Sequence, residues 1–133
     1  MDSAELSATI HEMREKIDMA YFTDNPWDIK YVHGGLMDAD FILQYRALRT
    51  GKTFEETLLR RSPEGEELLR HRAFLTDALF YLRLCGGGTL DEADVPKGLV
   101  RLLVKHLEAQ NFAALKQRLV ESERVIKKMF EAL

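Results

Sequence analysis

The sequence predicts an all-α fold, a bundle of about six helices within a single domain covering residues 1–133. Apolar residues recur at helical spacing along nearly the whole chain, whereas the alternating pattern of β-strands is nearly absent. Capping and helix-breaking residues divide the chain into segments of ordinary helix length. With 133 residues, of which 46% are hydrophobic and 31% charged, the chain is long enough for one domain with a buried core.

The first predicted helix carries one apolar stripe of residues three or four positions apart: Leu6, Ile10, Met13, Ile17 and Ala20. Ser3 is its predicted N-cap, and the turn cluster at residues 23–26 ends it because Pro26 disfavours helix before it. The second helix begins near Leu36 and runs to about Arg49. Gly51 follows in the position where a left-handed residue commonly ends a helix.

Two further helices open with clear N-terminal signals. Thr53 and Glu56 form a capping box, in which the side chain of each residue accepts a hydrogen bond from the backbone N–H of the other. Ser62 is the predicted N-cap of the fourth helix, and Pro63 occupies its first helical position. This helix is apolar almost all round over residues 73–85, so we expect it to lie at the centre of the bundle.

The triple glycine at residues 86–88 ends the fourth helix. A phosphate-binding loop is the alternative interpretation, but such loops follow a strand and open a helix, which this one does not. Pro96 starts a helix that runs through about Leu107, and Asn111 caps the last one. The apolar seam of that last helix consists of Phe112, Leu115, Leu119, Ile126, Met129 and Leu133.

Composition excludes several functional classes. The net charge of −3 argues against a nucleic-acid partner. Cys85 is the single cysteine, and its apolar surroundings predict a small buried side chain rather than a reactive thiol. One cysteine forms no internal disulfide, which suits a reducing compartment. No apolar run approaches the ~20 residues of a membrane span, and the first residues lack a signal-peptide pattern. We therefore expect a cytoplasmic protein without a membrane partner.

Metal and catalytic motifs are also missing from the sequence. The four histidines, at positions 11, 33, 71 and 106, have no second histidine or cysteine at metal-ligand spacing, so no metal site is predicted. No nucleophile–base motif is visible, so no catalytic residue is assigned. His33 differs from the others because it precedes a glycine pair, where it either contacts a ligand or only shapes the turn.

Residues 26–41 carry the most distinctive composition of the chain. A glycine pair precedes a helix N-terminus, where free N–H groups favour anions and glycine permits a close approach. A lysine adds a mobile positive charge, three carboxylates could position it or hold a cation, and Trp27 is expected to anchor the loop. The candidate nucleotide- or substrate-proximal residues are Asp28, Lys30, His33, Gly34, Gly35, Asp38 and Asp40.

Several of these residues also have purely structural explanations. Asp38 lies in the first turn of a helix, where a carboxylate satisfies free N–H groups and complements the dipole. We expect the loop to be extended, and in that conformation Asp28 and Lys30, two positions apart, would point the same way. The arginines at positions 60, 61, 70 and 72 could face a partner, although the neighbouring glutamates are typical of a solvated helix surface.

The same stretch resembles the signature of a known enzyme family. Trp27-Asp28-Ile29-Lys30, then Gly34-Gly35-Leu36-x-Asp38-x-Asp40-Phe41, then Gln44-Tyr45, is similar to the motif of glutamine synthetase adenylyltransferase. That motif marks the helical domain that follows each nucleotidyltransferase domain, and the aspartate at position 38 resembles the second, C-terminal copy. Residues 82–85, 98–99 and 111–133 also resemble the end of that protein. Ala39-Asp40 replaces the usual Ile-Glu, which could displace any contact of that carboxylate.

The resemblance implies a piece of a larger enzyme. The family transfers AMP from ATP to a tyrosine of glutamine synthetase and removes it by phosphorolysis, under the control of glutamine and PII proteins. The nucleotidyltransferase domain, with its metal-binding aspartates, has no counterpart in this sequence. The resemblance therefore implies a C-terminal fragment that binds no cofactor and is inactive alone, whereas the parent enzyme would use ATP and Mg²⁺.

The implied role is that of an accessory domain, which helps to position ATP or AMP phosphates or the target tyrosine. Lys30 would stabilise phosphate charge, Gly34 and Gly35 would permit close backbone approach, and Asp38 would orient these groups. The implied partners are the nucleotidyltransferase domain in cis, glutamine synthetase and a PII protein. The alternative is a non-enzymatic helical module that binds a regulatory protein such as PII. The first function predicts that the edge formed by Lys30 and the two glycines is exposed, and the second that it is covered.

Overall fold

The computed structural model of the chain describes residues 2–59 and 62–133, apart from the side chains of residues 54, 58 and 59. The described residues form six α-helices and a 3₁₀ turn at Glu92–Asp94, without a strand, which confirms the all-α prediction. The helices are α1 Ser3–Tyr21, α2 Leu36–Thr50, α3 Phe54–Leu59, α4 Pro63–Gly86, α5 Lys97–His106 and α6 Phe112–Glu131. Arg60 and Arg61, considered above as residues that could face a partner, lie outside the described residues.

Three helices, α2, α4 and α6, pack against one another and form the centre of the bundle. α1 and α3 pack on α2, and α5 packs on α4 and α6. The side chains that meet between these helices are almost fully buried: Ile42, Leu68, Leu75, Leu82, Leu103, Leu115, Leu119 and Ile126. None of the helices in the described part of the chain is long and apolar enough to cross a membrane.

Most predicted helix ends are confirmed by backbone and side-chain geometry. Gly51 ends α2 with a φ of 68°, a left-handed conformation that costs glycine little. The side chains at both ends of the Thr53/Glu56 capping box accept the predicted N–H groups. Ser62 caps α4 and Asn111 caps α6 through their side-chain oxygens. These local signals survive in the fold because each depends only on residues within one turn.

The start and the buried face of α1 differ from the prediction. Asp2, not Ser3, is the N-cap, and the Ser3 hydroxyl instead lies 3.0 Å from the Tyr45 hydroxyl of α2. Met13 is 46% exposed, while Arg14 is only 3% exposed and continues the stripe that Leu6 and Ile10 begin. An arginine therefore takes a place on the face where periodicity predicted only apolar residues.

α4 lies at the centre of the bundle, as predicted, but its C-terminal half is open to solvent on one side. Leu75, Leu79 and Leu82 are buried, whereas Phe80 is 58% and Leu84 66% exposed. Cys85 is also exposed, which contradicts its predicted burial. Helices α2, α5 and α6 cover only part of the circumference of α4, so the remaining side stays open to solvent.

Candidate functional site

The loop between α1 and α2 is a chain of tight turns rather than an extended segment. The N–H groups of Tyr31 and Val32 both donate to the Asp28 carbonyl, at 3.1 and 3.0 Å, and Leu36 N–H donates to the Ile29 carbonyl at 2.9 Å. The expectation of an extended loop is therefore wrong. Asp28 and Lys30 nevertheless line the same groove, because the turns bring them to the same side of the loop.

Trp27 anchors this loop in the bundle, as expected. Its side chain is fully buried and stacks on the Phe112 ring at the start of α6, with ring centroids 5.4 Å apart. The indole N–H donates to Glu92 Oε1 at 2.7 Å, so the polar end of the ring is also satisfied. Glu92 in turn pairs with Lys116 Nζ at 2.8 Å. The loop is thus tied to the 3₁₀ turn and to α6 at once.

Asp28 holds the loop from its other side. Its Oδ2 accepts the Thr23 hydroxyl, and its Oδ1 accepts the Thr89 hydroxyl from the segment after the triple glycine. Both carboxylate oxygens are therefore occupied by side chains of the fold. Through these two hydrogen bonds, Asp28 connects the loop before α2 with the segment after α4.

Asp38 belongs to a buried charge network with Arg14. The two side chains are 1% and 3% exposed, and Arg14 Nε lies 2.6 Å from Asp38 Oδ1. Asp38 Oδ2 accepts the Gly34 N–H at 2.7 Å, while Arg14 also donates to the Tyr31 carbonyl at 2.7 Å. Burial raises the pKa of the Asp38 carboxyl, and the Gly34 N–H and the Arg14 charge act against that rise. The capping explanation of Asp38 therefore fits this geometry.

His33 and Asp40 take part in separate pairs at the edge of this network. His33 Nε2 lies 2.7 Å from Asp18 Oδ2, and Asp18 Oδ1 lies 3.3 Å from Arg14 NH1. Asp40 Oδ1 accepts from Arg72 Nε of α4 at 3.0 Å, in a half-exposed position. Each of these side chains thus has a partner within the domain.

The glycine pair is covered by the fold, so the expectation that this edge is exposed is wrong. Gly34 and Gly35 are both buried. A Cβ atom at Gly34 would lie 1.8 Å from the carbonyl oxygen of Glu123 in α6, and one at Gly35 would lie 2.2 Å from the carbonyl oxygen of Ile29. The glycines therefore permit close approach of the protein's own backbone, and this contact fully explains them without a ligand.

Lys30 is the candidate residue that remains open to solvent and without an ion pair. Its ammonium lies 5.1 Å from the centre of the Tyr31 ring, and among the described residues no carboxylate pairs with it. Lys30 lines a groove of about 480 Å³ together with Arg83, Thr89 and the ends of α1 and α4. Arg83 likewise forms no ion pair within the described residues. The groove therefore carries the positive charges of Lys30 and Arg83 and the single negative charge of Asp28, whose threonine partners are neutral.

Arg83 owes its position to the glycines that follow α4. Gly87 adopts a φ of 87° and ends the helix, as predicted, and Gly88 adopts a φ of 94°. A Cβ atom at Gly88 would lie 3.2 Å from Arg83 Cγ, so the stem of the arginine lies close against this backbone. The triple glycine thus ends α4 with a turn that leads into Thr89, and its lack of side chains lets Arg83 lie along the groove.

A second polar cluster, between α4 and α6, is structural. His71 Nδ1 lies 2.8 Å from the Ser122 hydroxyl, and Glu67 Oε1 lies 4.0 Å from the other ring nitrogen. Burial lowers the pKa of the His71 imidazole. The order Ser–His–Glu resembles a nucleophile with its base, but Ser122 is only 1% exposed and cannot meet a substrate. No group of three or more histidine, cysteine or acidic side chains in the described residues is placed to hold a metal ion.

Sequence reasoning missed Arg14 and Arg83. Arg14 follows Leu6 and Ile10 at intervals of four, so helical periodicity alone places it on the buried face. The signal was an arginine in register with apolar residues and a carboxylate at position 38 that needed a partner. For Arg83 the sequence offers no comparable signal, because its place beside Lys30 depends on how α4 packs relative to the loop.

Comparison with characterised proteins agrees with the motif in the loop. The chain is 30% identical to the bifunctional glutamine synthetase adenylyltransferase/adenylyl-removing enzyme of Rhodopseudomonas palustris (strain BisB5), over 99% of the chain and 15% of the relative. The enzymes of the same name from Bradyrhizobium sp. (strain BTAi1) and Agrobacterium fabrum are 29% and 25% identical, with the same two coverages. The chain belongs to the glutamine synthetase adenylyltransferase family and corresponds to one part of such an enzyme. It spans about 15% of the length of these relatives.

The other comparisons add no family or fold. No protein-family model matches the chain, and no solved structure matches it. The assignment to the adenylyltransferase family therefore rests on full-length matching of this chain to several of its members, and the loop motif lies inside the matched segment.

Proposed function

We propose that this chain is a helical accessory domain of a glutamine synthetase adenylyltransferase. In this role it presents Lys30 to the ATP or AMP phosphates, or to the target tyrosine, that a nucleotidyltransferase domain of the same polypeptide handles. The parent enzyme would use ATP and Mg²⁺ and would act on glutamine synthetase. The accessory domain itself would supply no catalytic residue and would bind no metal.

The observation that carries this proposal is the state of Lys30. Its ammonium is exposed and has no carboxylate partner in the described residues. The loop that bears it is held by the side-chain hydrogen bonds of Trp27 and Asp28. A positive charge on a fixed backbone is suited to stabilising phosphate charge, because little reorganisation is needed when the ligand arrives.

The other candidate residues have a supporting role in this proposal. Asp28 fixes the loop through Thr23 and Thr89, and Asp38 fixes the helix N-terminus through Arg14 and Gly34. These residues hold Lys30 in place instead of meeting the ligand. Contact of the glycine pair with a nucleotide is not part of the proposal, because the Glu123 backbone occupies that space.

The experiment is a set of lysine substitutions in the full-length enzyme that contains this chain, with adenylylation of glutamine synthetase as the readout. We expect Lys30→Ala to lower kcat/KM at least tenfold, a loss of about 1.4 kcal/mol of transition-state stabilisation. Lys30→Arg should retain most of the rate because it keeps the charge. Lys52→Ala is the matched control, since Lys52 is also exposed but does not line the groove. An unchanged rate for Lys30→Ala would contradict the proposal.

A second candidate function is a non-enzymatic module that binds a regulatory protein, for which a PII protein is one partner to test. The covered glycine pair favours this candidate, because an interaction module needs no open phosphate edge. It predicts that Lys30→Ala leaves the adenylylation rate unchanged in the absence of the regulator. Titration of the 133-residue chain with purified PII protein would then detect a complex, and its absence together with a slow Lys30→Ala enzyme would reject this candidate.

A further inference from the structure

Exposed apolar side chains are concentrated on one side of the bundle. Of the eight large hydrophobic residues that are exposed in the described part of the chain, four line two adjoining grooves. Tyr21 and Phe22, at the end of α1, are 56% and 68% exposed, while Phe80 and Leu84, on α4, are 58% and 66% exposed. Scattered single apolar residues are normal on a protein surface, but a contiguous group of this kind marks an interaction site.

The two grooves form one continuous surface. The groove beside Lys30 and a second groove of about 570 Å³ share Leu79 in their floor and Arg83 on their rim. We call this surface the α1–α4 surface and define it by Tyr21, Phe22, Phe80, Arg83 and Leu84. Aromatic residues and arginine are the side chains enriched in the centres of protein interfaces.

Charge indicates what covers this surface. Arg83, on the rim of both grooves, has no ion-pair partner among the described residues, whereas Lys30 lines only the first groove, together with a carboxylate. That carboxylate, Asp28, keeps its negative charge because its two threonine partners are neutral, while Asp40 of the second groove pairs with Arg72. The surface is therefore apolar with one unpaired positive charge, at Arg83, and it fits a polypeptide segment that carries apolar side chains next to a carboxylate.

We infer that the α1–α4 surface is the seat of such a segment from the remainder of the same polypeptide. This inference rests on the proposed function, which places the chain in a longer enzyme. The matched relatives extend over more than six times the length that the chain covers, so most of their residues are available to bury this side. A second copy of the chain is the competing occupant, which the test below distinguishes.

Thiol labelling tests the inference without any activity assay. Thr76 lines the second groove and is exposed, so Thr76→Cys places a thiol on the α1–α4 surface. Leu48→Cys is the matched control, because Leu48 is 66% exposed on α2 and lines neither of the two grooves. Both variants carry Cys85→Ser, which removes the exposed natural thiol. Labelling by N-ethylmaleimide is followed at the modified peptide by mass spectrometry.

We expect the Thr76→Cys thiol to react at least tenfold more slowly in the full-length enzyme than in the 133-residue chain, and the Leu48→Cys thiol to react equally fast in both. Adding Phe80→Asp and Leu84→Asp should restore fast labelling of Thr76→Cys in the full-length enzyme. Because both side chains are more than half exposed, these changes should leave the fold intact, which the melting temperature checks.

Three results would overturn the inference. One is equal labelling of Thr76→Cys in both proteins, and another is slow labelling that the two aspartates do not relieve. The third is slow, concentration-dependent labelling in the 133-residue chain itself, which would assign the surface to a second copy. Equal labelling combined with a slow Lys30→Ala enzyme would reject this inference alone. Protected labelling combined with a fully active Lys30→Ala enzyme would reject the proposed function alone.

Discussion

Arg14 of α1 and Asp38 of α2 form a buried ion pair, with Arg14 Nε 2.6 Å from Asp38 Oδ1. Each partner also binds the loop between the two helices. Arg14 donates to the Tyr31 carbonyl, and Asp38 accepts the Gly34 N–H. The pair therefore fixes the second half of the loop, directly after Lys30, to both α1 and α2.

Asp38→Asn tests this pair. The asparagine keeps the shape of the side chain but removes the nearer of the two carboxylates beside the buried Arg14 charge, leaving only Asp18, 3.3 Å from Arg14 NH1. We therefore expect the unfolding free energy to fall by about 3 kcal/mol. Asp40→Asn is the matched control, because its partner Arg72 is half-exposed and an exposed pair is worth at most about 1 kcal/mol. Urea unfolding, followed by the fluorescence of Trp27, measures both. Equal losses of unfolding free energy in the two variants would show that the buried pair stabilises the fold no more than the half-exposed pair does.

Gly34→Ala tests whether the first glycine serves the fold. The residue has a φ of 84°, and a Cβ atom there would lie 1.8 Å from the Glu123 carbonyl oxygen, a backbone atom that cannot turn aside. We expect a loss of about 3 kcal/mol or more, from strain in the left-handed region together with overpacking. Gly51→Ala is the control, since Gly51 has a φ of 68° but nothing within 4 Å of the added methyl, and it should lose about 1 kcal/mol.

Thermal and urea unfolding of the two glycine variants gives the comparison directly. A Gly34→Ala protein as stable as Gly51→Ala would mean that the backbone of α6 does not contact Gly34 in solution. It would also reopen the question of whether the glycine pair is accessible to a ligand.

The local parts of this fold were readable from sequence, while the packing between its parts was not. The capping of α4 by Ser62 and the end of α2 at Gly51 follow from residues within one turn, so sequence alone predicted them. Burial of Gly34 depends on α6, whose contacting residue lies 89 positions away in sequence, and no local pattern reports such a contact. The exposure of Leu84 has the same origin, because only the arrangement of neighbouring helices decides which side of α4 is left open.

The same distinction applies to the candidate site. The loop motif contains Lys30, which is exposed beside a groove, and its role toward a ligand stays a prediction. It could not separate Lys30 from the residues that only hold the loop, because both kinds occur in one short motif. The covering of Gly34 and the pairing of Asp38 with Arg14 are tertiary contacts, which no local sequence pattern reports.

Glu123, which lies over Gly34, carries a buried carboxyl group of its own. The residue is 6% exposed, and its Oε2 has no hydrogen-bond partner in the described residues. Burial raises the pKa of the Glu123 carboxyl from 4.5 to about 9. The carboxyl is therefore protonated in the folded protein at neutral pH, whereas the same group is ionised in the unfolded chain.

Stability should consequently fall as pH rises from about 4.5 to about 9, because within this window the folded state holds a proton that the unfolded state has released. Between these two pH values, Glu123 lowers the unfolding free energy by up to about 1.4 kcal/mol per pH unit. Glu123→Met has a similar volume and no titrating group, so the difference in unfolding free energy between the variant and the original protein should grow with pH. Glu131→Met, at an exposed position of the same helix, should show no such growth. Urea titrations at pH 5, 7 and 8.5 give the three differences, and a Glu123→Met difference that stays constant across them would mean that the carboxyl is hydrated or ionised within the fold.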